Sequence, residues 1–202
     1  EGGGGEKGAK GVTGRLDDRG HDVTVACGRT DQGLSKWTTS KGCLIRHITC
    51  APEYLLQFPR VGFYLPRYLF AFTSLPVLCY LLFKEDYDVV VENMTPYPTL
   101  TVVLAKLFGV PIVAVQHEFH GDDAAEMYDP LTGRIQLLVQ NLLRLFDYDR
   151  VIVPTRHVRA QLSAYGVPWG RIDVVPNGIN YERFARETDD RNRKRLVTVS
   201  RL

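Results

Sequence analysis

The sequence predicts an α/β fold built on a doubly wound, mostly parallel sheet. Three short runs rich in β-branched residues, without polar alternation, are typical of parallel strands buried on both faces: Asp88–Glu92, Pro111–Val115 and Arg150–Pro154. Helix-length segments separate them, and repeated strand and helix alternation is the pattern of such a sheet. With 202 residues, of which 45% are hydrophobic, the chain can bury a substantial core.

The amino-terminal part contributes one helix and two strands. A helix is predicted over Glu6–Arg19, ended by Gly20 and followed by a strand at His21–Ala26. A further short strand is predicted at Leu44–Ile48. Three glycines weaken the helix by about 1 kcal/mol each relative to alanine, so packing against the rest of the chain must hold it. They are Gly8, Gly11 and Gly14.

Two more helices are predicted in the middle of the chain. Thr99–Phe108 lies between the strands Asp88–Glu92 and Pro111–Val115, which makes a β-α-β unit. Leu131–Phe146 is apolar at helical spacing and leads into the strand at Arg150–Pro154.

The run from Val151 to Phe184 is the most specific part of the sequence. After its first strand, Thr155 caps a helix that Gly166 ends, and another strand follows at Ile172–Val175. Pro176-Asn177-Gly178 then forms a turn in which Asn and Gly tolerate positive φ, so that backbone amides are exposed beyond the end of a strand.

This run resembles the inter-domain region of GT-B glycosyltransferases of the retaining family 4, whose pattern V-P-S/T…G-V-P…R-I…V-V-P-N-G-I-D…R-F it matches almost in full. One difference is Asn180, where the family usually has Asp. The resemblance implies a Rossmann-like fold, one half of GT-B. Residues 1–185 would form the amino-terminal, acceptor-side domain without its first strand, and residues 186–202 a linker and the first strand of the donor-binding domain. The chain is therefore expected to be truncated at both ends.

The same resemblance implies an enzyme that transfers a sugar, with retention of configuration, from a nucleotide donor such as a UDP- or GDP-sugar to a hydroxyl of a glycan or lipid-linked acceptor. No cofactor or bound metal is expected, because arginine, lysine and helix amides offset the charge of the leaving diphosphate. Since the cleft lies between two domains, the isolated chain is expected to be nearly inactive.

The best site candidate follows the strand Pro111–Val115. Gln116-His117-Glu118-Phe119-His120 places polar side chains at a carboxyl edge, where open α/β sheets bind ligands. The histidine pair also fits a metal site, but the third ligand that a catalytic zinc needs is not evident nearby. The resemblance assigns His117 a catalytic contact with the donor sugar. Glu118 is predicted to be an acceptor-side or an orienting carboxylate.

A glycine-rich segment opens the first predicted helix. Glycine there lets a phosphate approach bare amides at the positive end of the helix dipole. The resemblance places Gly3, Gly4 and Gly5 near the donor diphosphate and the acceptor, with Glu6 on the acceptor side. A flexible glycine-rich terminus is the alternative.

A last strand is predicted over Arg195–Leu202. The resemblance implies that Arg201 grips the donor diphosphate. A guanidinium suits that task because its fixed fork of donors matches phosphate oxygens.

Composition argues against several other classes of site. A net charge of +2 leaves no basic stripe for nucleic acid. Four widely spaced cysteines without a CxxC pair give no zinc or redox motif and favour reduced thiols. No secretory leader is readable, so a cytoplasmic location is predicted, with the inner face of the membrane as an extension of it.

The segment Phe63–Phe83 carries one charge, Arg67, and is long enough to be tested as a membrane span. Pro66 and Pro76 argue against a clean span. A core helix, or a helix pair interrupted at Pro76, is the favoured interpretation. A helix lying on the bilayer surface remains the alternative, which would give peripheral membrane contact.

Two other functions stay open. An NADP-dependent Rossmann oxidoreductase would use Gly3–Gly8 as its fingerprint and Arg29 as the partner of a 2′-phosphate. A non-catalytic module would present Phe63–Phe83 to a membrane or a partner protein.

Overall fold

The computed structural model describes residues 4–29, 33–51, 65–66, 69–94, 99–119, 121, 133–134, 137–138, 141 and 145–178, with the backbone alone at residues 4–7. The helices bounded within these ranges are α1 Gly4–Asp17, α2 Leu75–Lys84, α3 Thr101–Leu107 and α4 Arg156–Ala164. The strands are β1 Thr24–Gly28, β2 Trp37–Ser40, β3 Cys43–Ile48, β4 Val90–Met94, β5 Ile112–Gln116, β6 Arg150–Val153 and β7 Ile172–Val174.

Two predicted elements lie wholly or mostly outside these ranges. The predicted strand over Arg195–Leu202 is outside them altogether. Of the predicted helix over Leu131–Phe146, residues 133–134, 137–138, 141, 145 and 146 are described; all of them are helical except Phe146, which lies in a bend.

The strands form two sheets. In the four-stranded sheet, β4, β5, β6 and β7 lie in that order, and every neighbouring pair is parallel. In the three-stranded sheet, the order is β1, β3, β2; β1 pairs with β3 in parallel, and β2 pairs with β3 antiparallel. The predicted α/β class with a mostly parallel sheet is therefore confirmed, as is its Rossmann-like character, since α3 separates the parallel strands β4 and β5 and α4 separates β6 and β7.

The main hydrophobic core lies against the four-stranded sheet. Ile112 of β5, Val153 of β6 and Leu162 of α4 are fully buried members of it. Along β5, fully buried side chains alternate with half-buried ones, as expected of a strand covered on both faces. Burial on both faces is the reason that these strands read as nearly continuous apolar runs in the sequence.

Three helices end in the same way before a strand begins. At the end of α3, Gly109 has a φ of 70°, and the amides of Gly109 and Val110 donate to the carbonyls of Lys106 and Ala105 at 3.2 and 2.9 Å. This is the Schellman pattern, whose left-handed residue is usually glycine because glycine has no Cβ to clash. Gly20 after α1 and Gly166 after α4 take part in the same pair of bonds. After α1 and α3 the chain enters the next strand within a few residues, whereas a 3₁₀ helix, Trp169–Arg171, lies between α4 and β7.

The hairpin of β2 and β3 contains a strand, β2, that is absent from the sequence-based prediction. Its two-residue turn, Lys41-Gly42, has φ values of 48° and 79°. Positive φ at both central positions belongs to the type I′ turn, whose twist matches that of the paired strands. The usual signal for this turn is Asn-Gly or Asp-Gly, and Lys-Gly is a weaker one.

Of the segment Phe63–Phe83, the described residues 65–66, 69–73 and those of α2 are helical, and a turn at Ser74 separates residues 69–73 from α2. The break falls just before Pro76, which sits in the first turn of α2, where proline is tolerated. A pair of helices is therefore confirmed, with the break at Ser74 and not at Pro76. Burial in the core is wrong for three side chains, because Phe72, Tyr80 and Phe83 are 62%, 56% and 80% exposed. Within the described ranges, every helix is too short or too polar to cross a bilayer.

The second helical piece, α2, connects the two halves of the molecule. It contacts α3 beside the four-stranded sheet. It also lies over the β2–β3 face, where a shallow cleft of about 260 Å³ is lined by Trp37, Arg46, Pro76, Val77 and Tyr80. The guanidinium of Arg46 stacks over the Trp37 ring in this cleft, 4.9 Å from its centre.

Candidate functional site

The carboxyl ends of β4 and β5 meet at one edge of the four-stranded sheet. The strands are parallel, with Asn93 beside Val115 and Met94 beside Gln116. His117 comes directly after β5, one position beyond this register. This edge is the one at which the sequence predicts a ligand site, because parallel strands bind ligands beyond their carboxyl ends.

The imidazole of His117 is held by β4. Its Nε2 lies 2.8 Å from Oδ1 of Asn93. A carboxamide oxygen can only accept a hydrogen bond, so Nε2–H is the donor in this pair. The side chain of His117 is half-buried, and within the described ranges Asn93 is the hydrogen-bond partner of the ring.

Two buried side chains anchor the segment on either side of His117. Gln116 is 1% exposed; its Nε2 donates to the Glu118 carbonyl, and its Oε1 has no hydrogen-bond partner within the described part of the chain. Phe119 is 5% exposed and packs edge-on against Tyr165, with ring centres 5.1 Å apart. The expectation that Gln116 emerges at the edge is wrong, because its amide is enclosed by the protein. His117 and the exposed side chain of Glu118 remain at the edge.

Glu92 precedes Asn93 in β4, and because side chains alternate along a strand it points to the opposite face. It is 7% exposed and accepts hydrogen bonds from the Thr99 amide at 2.5 Å and the Tyr148 hydroxyl at 2.7 Å. Burial raises the pKa of the Glu92 carboxyl, and the two hydrogen bonds partly oppose that rise. Burial also raises the pKa of the Tyr148 hydroxyl, and the neighbouring Glu92 charge adds to the effect.

The hydrogen bonds of Glu92 stabilise the carboxyl edge of the four-stranded sheet from inside the protein. Thr99 leads into α3, and Tyr148 lies just before β6, so one carboxyl joins β4 to both elements. This carboxyl is enclosed by protein and its hydrogen bonds are internal. We therefore assign it a structural role beneath the site.

The remaining site candidates are described only in part. Gly4, Gly5 and Glu6 lie in the first turn of α1, which begins two residues earlier and ends two residues earlier than predicted. α1 packs against β3 of the three-stranded sheet. Three candidates lie outside the described residues: Gly3, His120 and Arg201.

Arg29, the candidate for a 2′-phosphate in the oxidoreductase hypothesis, follows β1 and donates through its guanidinium to the carbonyl of Leu34. The glycine-rich fingerprint of that hypothesis falls at the start of α1.

Asn93 is the site residue that the sequence prediction omits. A signal for it was available: Glu92 and Asn93 are polar residues at the end of a buried run, on the strand that precedes β5 in the chain. Neighbouring parallel strands end at the same edge, so the reasoning that selects His117 also applies to β4. Within the described ranges, no three side chains of His, Cys, Asp and Glu come together as a metal site would require.

Comparison with known proteins identifies the family of the chain. The family model described as Glycosyltransferase Family 4 matches residues 2–183, a range that includes both sheets and the His117 edge. Among curated proteins, no sequence matches the chain. Because the family model covers most of the chain, the protein belongs to glycosyltransferase family 4.

Proposed function

We propose that the protein transfers a sugar from a nucleotide-sugar donor, such as a UDP- or GDP-sugar, to a hydroxyl of a glycan or lipid-linked acceptor, with retention of configuration. In this proposal the donor sugar lies at the carboxyl edge of the four-stranded sheet, in contact with His117. Glu118 lies on the acceptor side. The observation that carries the proposal is the imidazole of His117, fixed by Asn93 beyond the end of a buried parallel strand.

The chemistry of this edge supports a sugar ligand. A neutral imidazole held through one nitrogen leaves the other nitrogen to interact with a hydroxyl group. The exposed carboxylate of Glu118 adds an acceptor for further hydroxyls. A sugar hydroxyl buried without a hydrogen-bond partner costs free energy, so a sugar site needs hydrogen-bonding groups of this kind.

The His117→Ala variant tests the proposal. With the full-length enzyme, a nucleotide-sugar donor and its acceptor, we expect kcat/KM to fall about tenfold or more, which corresponds to the loss of about one hydrogen bond to the transition state. The matched control is His157→Ala, since His157 is exposed on α4, and it should leave kcat/KM unchanged. Equal kcat/KM in wild type and His117→Ala would contradict the assignment.

The donor diphosphate is proposed to interact with Gly3, Gly4, Gly5 and Arg201, with Glu6 on the acceptor side, as the family resemblance implies. The 202-residue chain alone is then expected to turn over slowly, because the resemblance puts most donor contacts in a second domain. Sugar transfer by the purified 202-residue chain at rates typical of enzymes would overturn this expectation.

A second proposal concerns peripheral membrane contact through the Phe63–Phe83 segment. Tyr80 and Phe83 are three residues apart in α2, Phe72 lies in the preceding helical piece, and all three side chains are more than half exposed. Lys84 follows Phe83 with a cation suited to lipid headgroups. The four cysteines are free, as is usual in a reducing compartment, which supports the cytoplasmic face of a membrane.

Flotation with anionic phosphatidylserine vesicles tests this contact. The double variant Phe72→Ser/Phe83→Ser should leave the vesicle fraction, whereas Leu145→Ser, which removes an equally exposed apolar side chain elsewhere, should float like the wild type. A wild-type protein that stays wholly in the unbound fraction would exclude the contact.

A further inference from the structure

The hydrogen bond between Asn93 and His117 has a chemical consequence beyond holding the ring in place. Neutral imidazole carries its proton on one nitrogen, and the hydrogen bond made by that nitrogen selects the tautomer. Here Nε2 faces Oδ1 of Asn93 at 2.8 Å, so the proton is on Nε2. The lone pair is then on Nδ1.

We propose that Asn93 is a positioning residue that fixes the Nε2–H tautomer of His117, so that Nδ1 accepts a hydrogen bond from a hydroxyl of the bound sugar. The identity of that ligand rests on the proposed function, whereas the tautomer does not. Asn93 itself touches the imidazole and not the reacting atoms.

The sheet register explains why Asn93 can reach His117. Asn93 lies beside Val115, and His117 is two residues beyond Val115 along the chain. Residues two apart on a strand lie on the same face, so Asn93 and His117 are diagonal neighbours on one face of the sheet. Diagonal neighbours are close enough for long or planar side chains to meet.

The segment around His117 has little freedom to turn away. Gln116 and Phe119 are both almost fully buried, and Phe119 packs against Tyr165. Asn93 lies in β4, and the residue before it, Glu92, makes two internal hydrogen bonds. The donor and the acceptor of the Asn93–His117 bond are therefore both fixed by their own supports.

The amide of Asn93 is neutral, so its effect on the charge of the neighbouring imidazole differs from that of a carboxylate. A carboxylate next to an imidazole favours the imidazolium, which has protons on both nitrogens and no lone pair to offer. A neutral carboxamide orients the ring without adding that charge. In the neutral ring Nδ1 is then the acceptor, which suits a hydroxyl donor.

The tautomer can be read directly from the ¹⁵N shifts of the His117 ring in two-bond ¹H–¹⁵N correlation spectra. The spectra would be recorded on the full-length protein, with His117 assigned by its loss in His117→Gln. We expect the proton on Nε2 in the wild type, a mixture of tautomers in Asn93→Ala, and an Nε2 proton again in Asn93→Asp. The control variant Asn141→Ala should not change the ring, since the amide of Asn141 bonds to the Leu137 carbonyl.

Activity gives a second readout that a purely structural role would not move. Asn93→Ala should lower kcat/KM about tenfold, while Asn93→Asp should restore much of it at high pH. In Asn93→Asp the acidic limb of the pH profile should shift to higher pH, because the new carboxylate raises the pKa of the imidazole.

The outcomes separate the two proposals. An Nδ1–H tautomer in the wild type, or an unchanged ring in Asn93→Ala, would overturn the positioning role. If the tautomer is lost in Asn93→Ala while sugar transfer continues at the wild-type rate, the positioning role stands and the proposed contact of His117 with the donor sugar fails.

Discussion

The two sheets of this protein are stabilised in different ways. Around the four-stranded sheet, twelve buried residues of the described ranges form one hydrophobic cluster that runs from Met94 to Ile172. In the three-stranded sheet, the strand β1 is only half-buried, and Trp37 and Leu44 are 37% and 40% exposed. The four-stranded sheet is held mainly by apolar burial, whereas specific polar contacts matter more in the other.

The polar contacts of the three-stranded sheet cross all of its strands. His47 of β3 makes a hydrogen bond with the Thr38 hydroxyl of β2 at 2.9 Å, and its other ring nitrogen lies 3.5 Å from the Cys27 thiol of β1. Arg46 stacks on Trp37 from the opposite face. Each of these contacts contributes less to the free energy of folding than the burial of a whole apolar side chain does. The stability of this sheet therefore depends more on turn and backbone geometry.

The largest difference between the sheets should appear on truncating one leucine in each. Leu162→Ala removes a fully buried side chain from the core and should lower the free energy of unfolding by about 3–5 kcal/mol. Leu44→Ala removes a partly exposed side chain and should cost about 1 kcal/mol or less. Urea unfolding of both variants measures the difference. Equal costs would show that the two sheets share one mode of stabilisation.

A smaller effect should come from the buried polar pair beneath the site. Tyr148→Phe removes a hydrogen-bond donor from the buried Glu92 carboxyl and should cost about 1–3 kcal/mol at pH 7. Tyr80→Phe is the control, since Tyr80 is 56% exposed, and should change stability by less than about 0.5 kcal/mol.

The same pair gives a pH dependence with a definite sign. The pKa of Glu92 is raised in the folded state, which binds the proton more tightly than the unfolded chain does. Stability relative to Glu92→Gln should therefore be highest below the ordinary value of 4.5 and fall as pH rises through the folded pKa. In Tyr148→Phe the fall should extend to higher pH. A relative stability that rises over this window would contradict the buried environment of Glu92.

The smallest effect should come from backbone geometry in the three-stranded sheet. Gly42→Ala puts a Cβ on a residue with a φ of 79°, where it would also meet the Asp17 carboxylate, and should cost about 1–2 kcal/mol. Gly11→Ala is the matched control of opposite sign. Gly11 is helical with open space around it, so alanine there should stabilise by up to about 1 kcal/mol. Thermal unfolding of both variants measures the pair, and a neutral Gly42→Ala would mean that the hairpin turn adapts.

The same contrast explains how much of the fold could be predicted. β4, β5, β6 and β7 come from apolar runs, because strands buried on both faces leave no room for polar residues. β2 lacks such a run. It forms because the Lys41-Gly42 turn reverses the chain direction and the Trp37 ring packs against the Arg46 guanidinium across the hairpin. That pairing depends on tertiary contacts, which a sequence pattern does not contain.

The candidate site was predictable at the level of the edge and less so at the level of side chains. The position of His117 follows from the end of a buried run. The inward turn of Gln116 depends on the enclosure of its amide, and the link from His117 to Asn93 depends on the register between β4 and β5. Register is set by packing between strands, so the sequence alone does not give the distance between His117 and Asn93.

The glycine-ended helices also bear on how such a protein can diversify. The same pair of hydrogen bonds ends all three helices, at Gly20, Gly109 and Gly166, ahead of the next strand in the chain. An insertion there would break those bonds and disturb the alignment of the next strand. An insertion at the opposite edge, beyond His117, would lengthen a loop and leave the alignment intact. New substrate preferences can therefore arise at the His117 end of the sheet without changing the alignment of the strands at the opposite end.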